Sequence, residues 1–345
     1  MYPLITIAIP TYNSEKTLAK VLTAVRRQTY PQTSLEILVI DGGSNDNSVS
    51  IAEKFKCKIV PNPQTDLIYA KHIAYLIAKG KYLLNMDSDE VLENNNSIMK
   101  RYLTFASDKR IKGIMPTGFK TPPEYPMINH YINDFGDPFS YFIYRMSQHP
   151  KFYIPLLKGR GQVVLENKDF VAIKFLHTKK TPLVELWAST GIIDLQYFRR
   201  NFPEIKLNLE HVSFYFYLLT KDDKLLAVTK NDTVIHYSAG TLKKYLRKIV
   251  SRVKNNTFST TMGKGGFSGR EEYQNSWFRF KKYLFIPYSF SIVLPLVDAL
   301  FLLVTRRKLV YLTHPLLCIY TSSLIAYFEL LKLLGVKPKM GSYGN

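Results

Sequence analysis

The feature that most constrains the fold is a series of short apolar runs, each of which ends in polar or acidic residues. The three clearest runs, each with the residues that follow it, are Leu4–Ile9 before Pro10–Asn13, Leu35–Ile40 before Asp41, and Tyr82–Met86 before Asp87–Asp89. Segments with apolar residues at helical spacing separate these runs, and this alternation predicts a parallel sheet with crossover helices. The carboxyl ends of such strands meet at one edge of the sheet, where open α/β sheets bind ligands. We therefore expect the polar residues after the three runs to form one site.

The sequence Asp87-Ser88-Asp89 allows two interpretations on its own. Paired carboxylates at a strand end suit Mg2+ or Mn2+, because these cations prefer oxygen ligands and often bridge protein to phosphate. The same residues also make an ordinary solvated turn, since Asp and Ser side chains bond to nearby backbone amides. The motifs elsewhere in the chain decide between the two.

The positive charge of the chain is concentrated towards its end. The net charge is +20 at pH 7, and residues 241–345 contain 17 lysines and arginines against 4 aspartates and glutamates. Such a segment attracts nucleic acid or an anionic membrane surface. Its basic residues lie among long apolar stretches, so we expect anionic membrane lipids as partners and no nucleic acid. Cys57 and Cys318 have neither disulfide nor metal-type spacing, which fits a reducing compartment, and we interpret Leu4–Ile9 as a strand rather than a signal peptide.

The last third of the chain has the pattern of a membrane-associated region. Thr241–Asn255 predicts a basic amphipathic helix, and two apolar runs follow at Leu284–Thr305 and Leu309–Phe328. Prolines and Asp298 in the first run favour a bent or shallow hairpin embedded in the cytoplasmic leaflet. The basic turn Arg306–Lys308 also disfavours a full crossing, which would place it outside. A full hairpin and a soluble, buried helical pair are the alternatives.

The sequence predicts three parts. These are an α/β domain in residues 1–240, an interfacial segment in residues 241–283, and a membrane-embedded helical hairpin in residues 284–345. Thr117–Gly161 is rich in proline and aromatic residues, and we expect irregular or inserted structure that either shapes an acceptor groove or packs on the surface. We expect a single helix over Glu210–Leu219.

Five short motifs follow one another along the chain. They are IPTYN at Ile9–Asn13, DGGSNDNS at Asp41–Ser48, Asp87-Ser88-Asp89, Glu210-His211 after Gly191, and His236. This set resembles the inverting nucleotide-sugar glycosyltransferases of family 2, which have the GT-A fold, a mostly parallel Rossmann-like sheet with helices on both faces. The resemblance extends from Leu4 to about Ser238. It implies a nucleotide-sugar donor, preferably a UDP-sugar, and a divalent cation, Mn2+ or Mg2+, as cofactor.

The resemblance also implies a role for each motif residue. Those implied to bind the nucleotide are Pro10, Thr11, Tyr12, Asn13, Asp41, Asp66, Lys71, Asp87 and Ser88. Those implied to bind the metal are Asp87, Asp89 and His236. Asp41 would contact the uracil edge, although an aspartate before Gly-Gly is also a common turn residue. Lys71 stands where the family more often has arginine, and lysine lacks the bidentate fork of that side chain.

The catalytic base departs from the family pattern, which usually has Glu-Asp where this chain has Glu210-His211. A hydroxyl acceptor needs a group that removes its proton, and histidine has a suitable pKa. Three hypotheses stay open: His211 is the base, Glu210 is the base, or an anionic acceptor such as polyprenyl phosphate needs none.

The resemblance and the C-terminal pattern together imply a membrane-attached enzyme at the cytoplasmic face. It would extend a lipid-linked saccharide on a polyprenyl carrier, in glycan or polysaccharide assembly. One alternative is an enzyme that places a single sugar on polyprenyl phosphate. Another is a non-catalytic nucleotide-sugar-binding or scaffold protein.

Overall fold

The computed structural model describes residues 1–175, 190–219, 222–258, 261–264 and 266–340. Strands β1 to β12 are Ile5–Thr11, Leu35–Asp41, Lys58–Pro61, Tyr82–Asn85, Glu90–Leu92, Ile111–Met115, Gly118–Lys120, Gln162–Glu166, Phe170–Lys174, Ile192–Asp194, Leu225–Thr229 and Thr233–His236. Helices α1 to α16 are Glu15–Arg26, Ser48–Lys54, Leu67–Ile77, Ser97–Ser107, Ile128–Phe135, Pro138–Tyr144, Pro150–Lys158, Leu195–Asn201, Tyr215–Leu219, Leu242–Thr257, Thr261–Lys264, Phe267–Arg270, Ser276–Lys281, Phe285–Phe290, Val293–Arg306 and His314–Leu333. Two of the short 3-10 helices matter below, Leu209–Ser213 and Leu309–Thr313.

Nine of the described strands form one mixed sheet in the order β3-β2-β1-β4-β10-β6-β11-β9-β8. The segment β3-β2-β1-β4 is parallel, and α1, α2 and α3 connect its strands in turn. All residues of β1 are buried, as expected for a strand inside a parallel sheet. Strand β10 runs antiparallel to both β4 and β6. The predicted α/β class with crossover helices is confirmed. The sheet is mixed rather than mostly parallel, because four of its eight strand pairings are parallel and four are antiparallel.

The carboxyl ends of β1, β2 and β4 lie at one edge of this sheet. Thr11 at the end of β1 is in register with Asp41 at the end of β2. Asn85 at the end of β4 is in register with Ala8, and the Met86 amide donates to the Ala8 carbonyl at 3.0 Å. The predicted convergence of the three strand ends is therefore confirmed.

A second sheet, in the order β5-β12-β7, lies beside the end of β4. Strand β5 begins at Glu90, directly after Asp87-Ser88-Asp89, and pairs antiparallel with β12. In this register Glu90 lies opposite His236. The second sheet thus brings the Asp-Ser-Asp loop to the end of a strand that is about 145 residues away in the chain.

The prediction of irregular structure over Thr117–Gly161 is wrong, because this region contains β7 and helices α5, α6 and α7. Two of its prolines start helices, since Pro138 and Pro150 occupy the first turns of α6 and α7, and a third, Pro155, lies inside α7. The Asp137 side chain caps α6 by accepting from the Ser140 amide at 2.7 Å. The aromatic residues of the region are largely buried, so their abundance reflects a core and not a loop.

The predicted single helix over Glu210–Leu219 is also wrong in part. Residues Leu209–Ser213 form a 3-10 helix, and α9 begins only at Tyr215. The Phe214 amide donates to the His211 carbonyl, three residues back, at 2.9 Å. Glu210 and His211 therefore belong to a tighter 3-10 turn that precedes α9 and is not continuous with it.

The predicted bend in the first apolar run is confirmed. Ser276–Phe290 and Val293–Arg306 meet at 90°, around Ile292, whose φ is 60°. The second run forms one continuous helical segment, Leu309–Leu333, which is long and apolar enough to cross a membrane by length and composition, and 28% of its most apolar window is buried.

A second hydrophobic core joins the C-terminal helices to the region that follows β7. It contains side chains from α5, α6, α10, α15 and α16, among them Tyr131, Phe135, Tyr245, Ile249, Leu302 and Phe328. Buried polar contacts reinforce it: the Tyr131 hydroxyl lies 2.6 Å from His314 Nδ1, and Arg306 Nε donates to Asp134 at 3.0 Å. This core crosses position 240, where the sequence predicts the end of the α/β domain.

Candidate active site

A shallow, open pocket lies at the carboxyl ends of β1 and β2, against the start of α3. Its lining residues are Pro10, Thr11, Tyr12, Gly42, Asn62, Thr65, Asp66, Leu67 and Ala70. Gly42 keeps the pocket open, because a Cβ at this position would lie 3.1 Å from Thr65 Cγ2 and 3.4 Å from Tyr12 Cδ2. The Tyr12 ring and the backbone at two strand ends form its walls, a surface suited to contact with a flat heterocyclic ring.

Four of the predicted nucleotide-binding residues line this pocket: Pro10, Thr11, Tyr12 and Asp66. Asp66 also caps α3, because its Oδ1 accepts from the Tyr69 amide at 2.8 Å. Burial raises the pKa of the Asp66 carboxyl above its ordinary value. The N-terminus of α3 is thus fixed at the pocket wall.

Asp41 holds the loop that follows β2. Its Oδ2 accepts from the amides of Gly43 at 2.9 Å and Ser44 at 3.0 Å, and its Oδ1 accepts from the Ser44 hydroxyl at 2.5 Å. Asn13 ties the first loop to the same segment, since its Oδ1 accepts from the Asn45 amide at 2.9 Å. Both residues shape the loops beside the pocket, and their contact with a nucleotide stays a prediction.

Lys71 and Asp87 form a largely buried ion pair. Lys71 Nζ lies 3.0 Å from Asp87 Oδ1, and the two side chains are 2% and 16% exposed. Lys71 belongs to α3, so this contact fixes the helix of the pocket to the Asp-Ser-Asp loop. Ser88 ties the same loop to the residues after β1, because its hydroxyl lies 2.8 Å from that of Ser14.

Asp89 and His236 form a second pair of candidate ligands. His236 Nε2 lies 3.7 Å from Asp89 Oδ1, and the Tyr237 amide donates to the Asp89 carbonyl at 2.9 Å. Burial and the nearby Lys248 lower the pKa of His236 to about 3. The ring is therefore neutral at neutral pH, which is the form that binds a metal ion.

The Asp89–His236 pair fits a divalent cation that is shared with a phosphate. The structure describes no group of three or more His, Cys, Asp or Glu side chains that could enclose a metal on their own. Mg2+ is commonly held by one or two carboxylates together with substrate phosphates, and an imidazole nitrogen suits Mn2+ better than Mg2+. Asp87, implied as a third ligand, already binds Lys71 through one oxygen.

Glu210 and His211 lie on the 3-10 helix Leu209–Ser213, which packs against α3. His211 is partly exposed, and its Nδ1 is buried without a hydrogen-bond partner among the described residues. Helix α3 thus carries Lys71 and also supports the Glu-His pair. Which of the two residues acts as base stays a prediction.

Sequence reasoning missed three residues of the site. Asn62 and Thr65 line the pocket and secure the turn before α3: Asn62 Nδ2 donates to the Asp66 carbonyl at 3.0 Å, and the Thr65 hydroxyl donates to the Gly42 carbonyl at 2.7 Å. Their position in a polar turn between β3 and α3 was the available signal. The sequence does not single out Lys248, because the amphipathic pattern places every lysine of α10 on the basic face, which we expect to meet anionic lipids.

A mixed sheet with a pocket and a carboxylate pair at its carboxyl edge agrees with the GT-A fold that the sequence predicts. Residues 6–154, less than half of the chain, match the family model described as Glycosyl transferase family 2, and the predicted resemblance to that family is confirmed.

The curated relatives match only part of their own length. The poly(ribitol-phosphate) beta-N-acetylglucosaminyltransferase TarS of Staphylococcus aureus is 29% identical over 145 residues, which cover 36% of this chain and 25% of TarS. The glycosyltransferase GlyG of Streptococcus pneumoniae is 31% identical over 101 residues, which cover 28% of this chain and 33% of GlyG. The alignments thus span a quarter to a third of these relatives.

A solved structure resembles the whole fold. The mannosyltransferase PcManGT from Pyrobaculum calidifontis, in complex with GDP-Man and Mn2+, aligns with a TM-score of 0.54 at 12% identity. The alignment covers 95% of this chain and 88% of that one. It therefore includes the C-terminal helices as well as the sheet.

Proposed function

We propose that this protein transfers a sugar from a nucleotide sugar to a polyprenyl-linked glycan at the cytoplasmic face of the membrane, with inversion at the anomeric carbon. A UDP-sugar is the preferred donor. The proposal rests on one observation, which is that three features lie together at one edge of the sheet. They are the pocket walled by Tyr12, the Lys71–Asp87 ion pair, and the Asp89–His236 pair.

The donor side follows from these contacts. The base of the nucleotide lies in the pocket beside Tyr12, and the diphosphate extends towards Asp89 and His236. A divalent cation bound there would neutralise charge on the diphosphate oxygens. Lys71 holds Asp87 in place beside it, since the pair is buried and a lone carboxylate there would be costly.

On the acceptor side, a hydroxyl oxygen attacks the anomeric carbon while the bond from that carbon to the diphosphate oxygen breaks. The hydroxyl proton goes to a base, for which His211 and Glu210 are the candidates. The nucleoside diphosphate leaves with the bonding electron pair, and one displacement inverts the configuration.

Membrane attachment is supported by the distribution of exposed apolar side chains. Most of the large exposed hydrophobic residues belong to the segment after residue 276, including Trp277, Phe280, Tyr283, Phe290, Val293, Leu294, Val297, Phe301, Val304, Leu309, Leu316 and Leu333. A soluble monomer rarely exposes a contiguous apolar surface of this kind. Arg279, Lys281 and Lys282 alternate with the first three aromatic residues, a composition typical of the headgroup level.

A donor and acceptor screen tests the proposal. The full-length protein, in detergent or nanodiscs, is given Mn2+ and labelled UDP-sugars or GDP-mannose, each with lipid-linked saccharides extracted from membranes. Transfer to the saccharide that is lost in Asp89→Ala supports the proposal. Absence of transfer and of nucleotide-sugar hydrolysis with every donor would favour a non-catalytic sugar-nucleotide-binding protein.

A second acceptor class has specific support, because TarS is named for a poly(ribitol-phosphate) acceptor. Such a polymer is anionic and soluble, and the strongly basic α10 could bind its phosphates. The same screen includes poly(ribitol phosphate) and bare polyprenyl phosphate as acceptors. Transfer to one of these, and not to the lipid-linked saccharide, would replace the proposed acceptor without changing the donor chemistry.

A further inference from the structure

Lys248 differs from the other basic residues in the first half of α10. Lys243, Lys244 and Arg247 are exposed, as expected for a basic face, whereas Lys248 is only partly exposed. Its Nζ donates to the Ser238 carbonyl at 2.7 Å and contacts the Ser238 hydroxyl at 3.4 Å. The ammonium group is therefore directed towards the chain that follows β12 and not towards solvent.

That chain belongs to the candidate active site. Ser238 is two residues after His236, and the intervening Tyr237 donates its amide to the Asp89 carbonyl at 2.9 Å. The electrostatics agree with this position. Lys248, followed by Lys244, is the largest favourable charge acting on the pKa of Asp89, and Asp89 and Asp87 in turn oppose the lowering of the Lys248 pKa by burial. Lys248 thus brings a positive charge to the carboxylate pair, and unlike Lys244 its side chain is turned towards the site.

The balance of charges shows why this matters. Two carboxylates, Asp87 and Asp89, lie where the proposed function puts a diphosphate. Lys71 is already paired with Asp87, so the proposed divalent cation is left to offset Asp89 as well as the charge of the diphosphate. Lys248 adds a positive charge that does not depend on the metal, and its ammonium has donors beyond those used by Ser238. Lysine is suited to phosphate as a compact point charge on a flexible stem.

We infer that Lys248 is a diphosphate-binding residue: its ammonium group donates to the phosphate oxygens of the nucleotide and stabilises the charge that develops as the nucleoside diphosphate leaves. The inference rests on the proposed function. Helix α10 then has two roles: Lys248 binds the diphosphate, and the exposed basic residues of the same helix bind the membrane or the acceptor.

The test measures nucleotide binding rather than turnover. Uridine, UMP, UDP and GDP are titrated calorimetrically into the full-length wild type, Lys248→Met and Lys248→Arg, with Mn2+ and separately with EDTA. Loss of one charge-assisted hydrogen bond predicts that Lys248→Met weakens UDP binding about 10- to 100-fold. UMP should lose less and uridine should be unaffected, and Lys248→Arg should recover part of the loss. Because the ammonium group binds phosphate itself, the difference should persist in EDTA.

Arg247→Met is the matched control, because it removes the neighbouring charge of the same helix from an exposed position; its UDP affinity should equal that of the wild type. Equal UDP affinity in Lys248→Met and the wild type would overturn the role of Lys248 alone. Equal losses for uridine and UDP, without rescue by arginine, would indicate a purely structural contact with Ser238 and would also overturn it. If the wild type binds neither UDP nor GDP, the proposed function fails and the inference fails with it.

Discussion

The ion pair between Arg101 and Asp232 gives the sharpest prediction about stability. Arg101 in α4 and Asp232 before β12 are both fully buried, and Nε of the arginine lies 2.7 Å from Oδ2 of the aspartate. Arg101 Nη1 also donates to the Thr190 carbonyl at 2.7 Å, and the Thr229 hydroxyl donates to Asp232 at 2.7 Å. The pair therefore fixes the start of β12 to α4.

Replacing Arg101 with methionine keeps most of the side-chain volume but leaves Asp232 as a buried charge with the Thr229 hydroxyl as its remaining side-chain donor. Breaking a buried pair in this way costs about 3–5 kcal/mol. Whole domains are stable by about 5–15 kcal/mol, so Arg101→Met should lose a large part of the free energy of unfolding. The double variant Arg101→Met/Asp232→Asn removes both charges, and we expect it to be less destabilised than the sum of the two single variants.

Urea unfolding of detergent-solubilised protein, followed by far-ultraviolet circular dichroism, measures these differences. Arg110→Met is the control, since Arg110 forms an ion pair with Asp108 on the surface, and its unfolding midpoint should stay close to that of the wild type. A loss below about 1 kcal/mol in Arg101→Met would refute the reasoning. So would a double variant whose loss equals the sum of the two single losses, because the charges would then not be coupled.

Three further predictions concern activity and membrane binding. Asp89→Ala should abolish Mn2+-stimulated transfer while the circular dichroism spectrum stays unchanged, and full activity in this variant would exclude Asp89 as a metal ligand. If His211 is the base, His211→Ala should lower kcat by about 100-fold or more while Glu210→Gln should not, and the opposite ranking of kcat would assign the base to Glu210. Trp277→Ser/Phe280→Ser should weaken binding to anionic vesicles about tenfold or more in a flotation assay, because two half-exposed rings no longer enter the interface; unchanged flotation would place the contact elsewhere.

The parallel part of the fold could be predicted because its determinants are local. The runs before Asp41 and Asp87 are apolar except at Glu36 and Asn85 and end abruptly, which is the pattern of buried parallel strands. Their convergence follows from the geometry of any parallel sheet. The pocket residues Pro10 to Tyr12 could be placed for the same reason, since β1 and β2 end in register.

The region after β7 could not be predicted, because a proline can either start a helix or interrupt one. Pro138 and Pro150 start helices, where the missing amide hydrogen costs nothing, but in a window rich in aromatic residues they suggest a broken chain. Their packing partners are far away in the chain: α5 belongs to the second core, in which Tyr131 contacts His314 from α16, and α7 packs Tyr153 and Leu157 into the core around the main sheet. Contacts between residues so far apart in the chain leave no periodic signal in the sequence around Tyr131.

The segment from Asp232 to Ser238 shows why the site could be identified only in part. Asp232 binds Arg101 in the core, His236 faces Asp89, and the Ser238 carbonyl accepts from Lys248. This short segment therefore contacts three parts of the protein: the buried core, a candidate metal ligand and the basic helix α10. A sequence motif detects His236, which has a distinctive residue type, but it cannot detect Lys248, which resembles every other lysine in α10. Such a residue is defined by the direction of its side chain, and Lys248 is turned towards the protein because it lies beside the buried Tyr245 and Ile249 on α10.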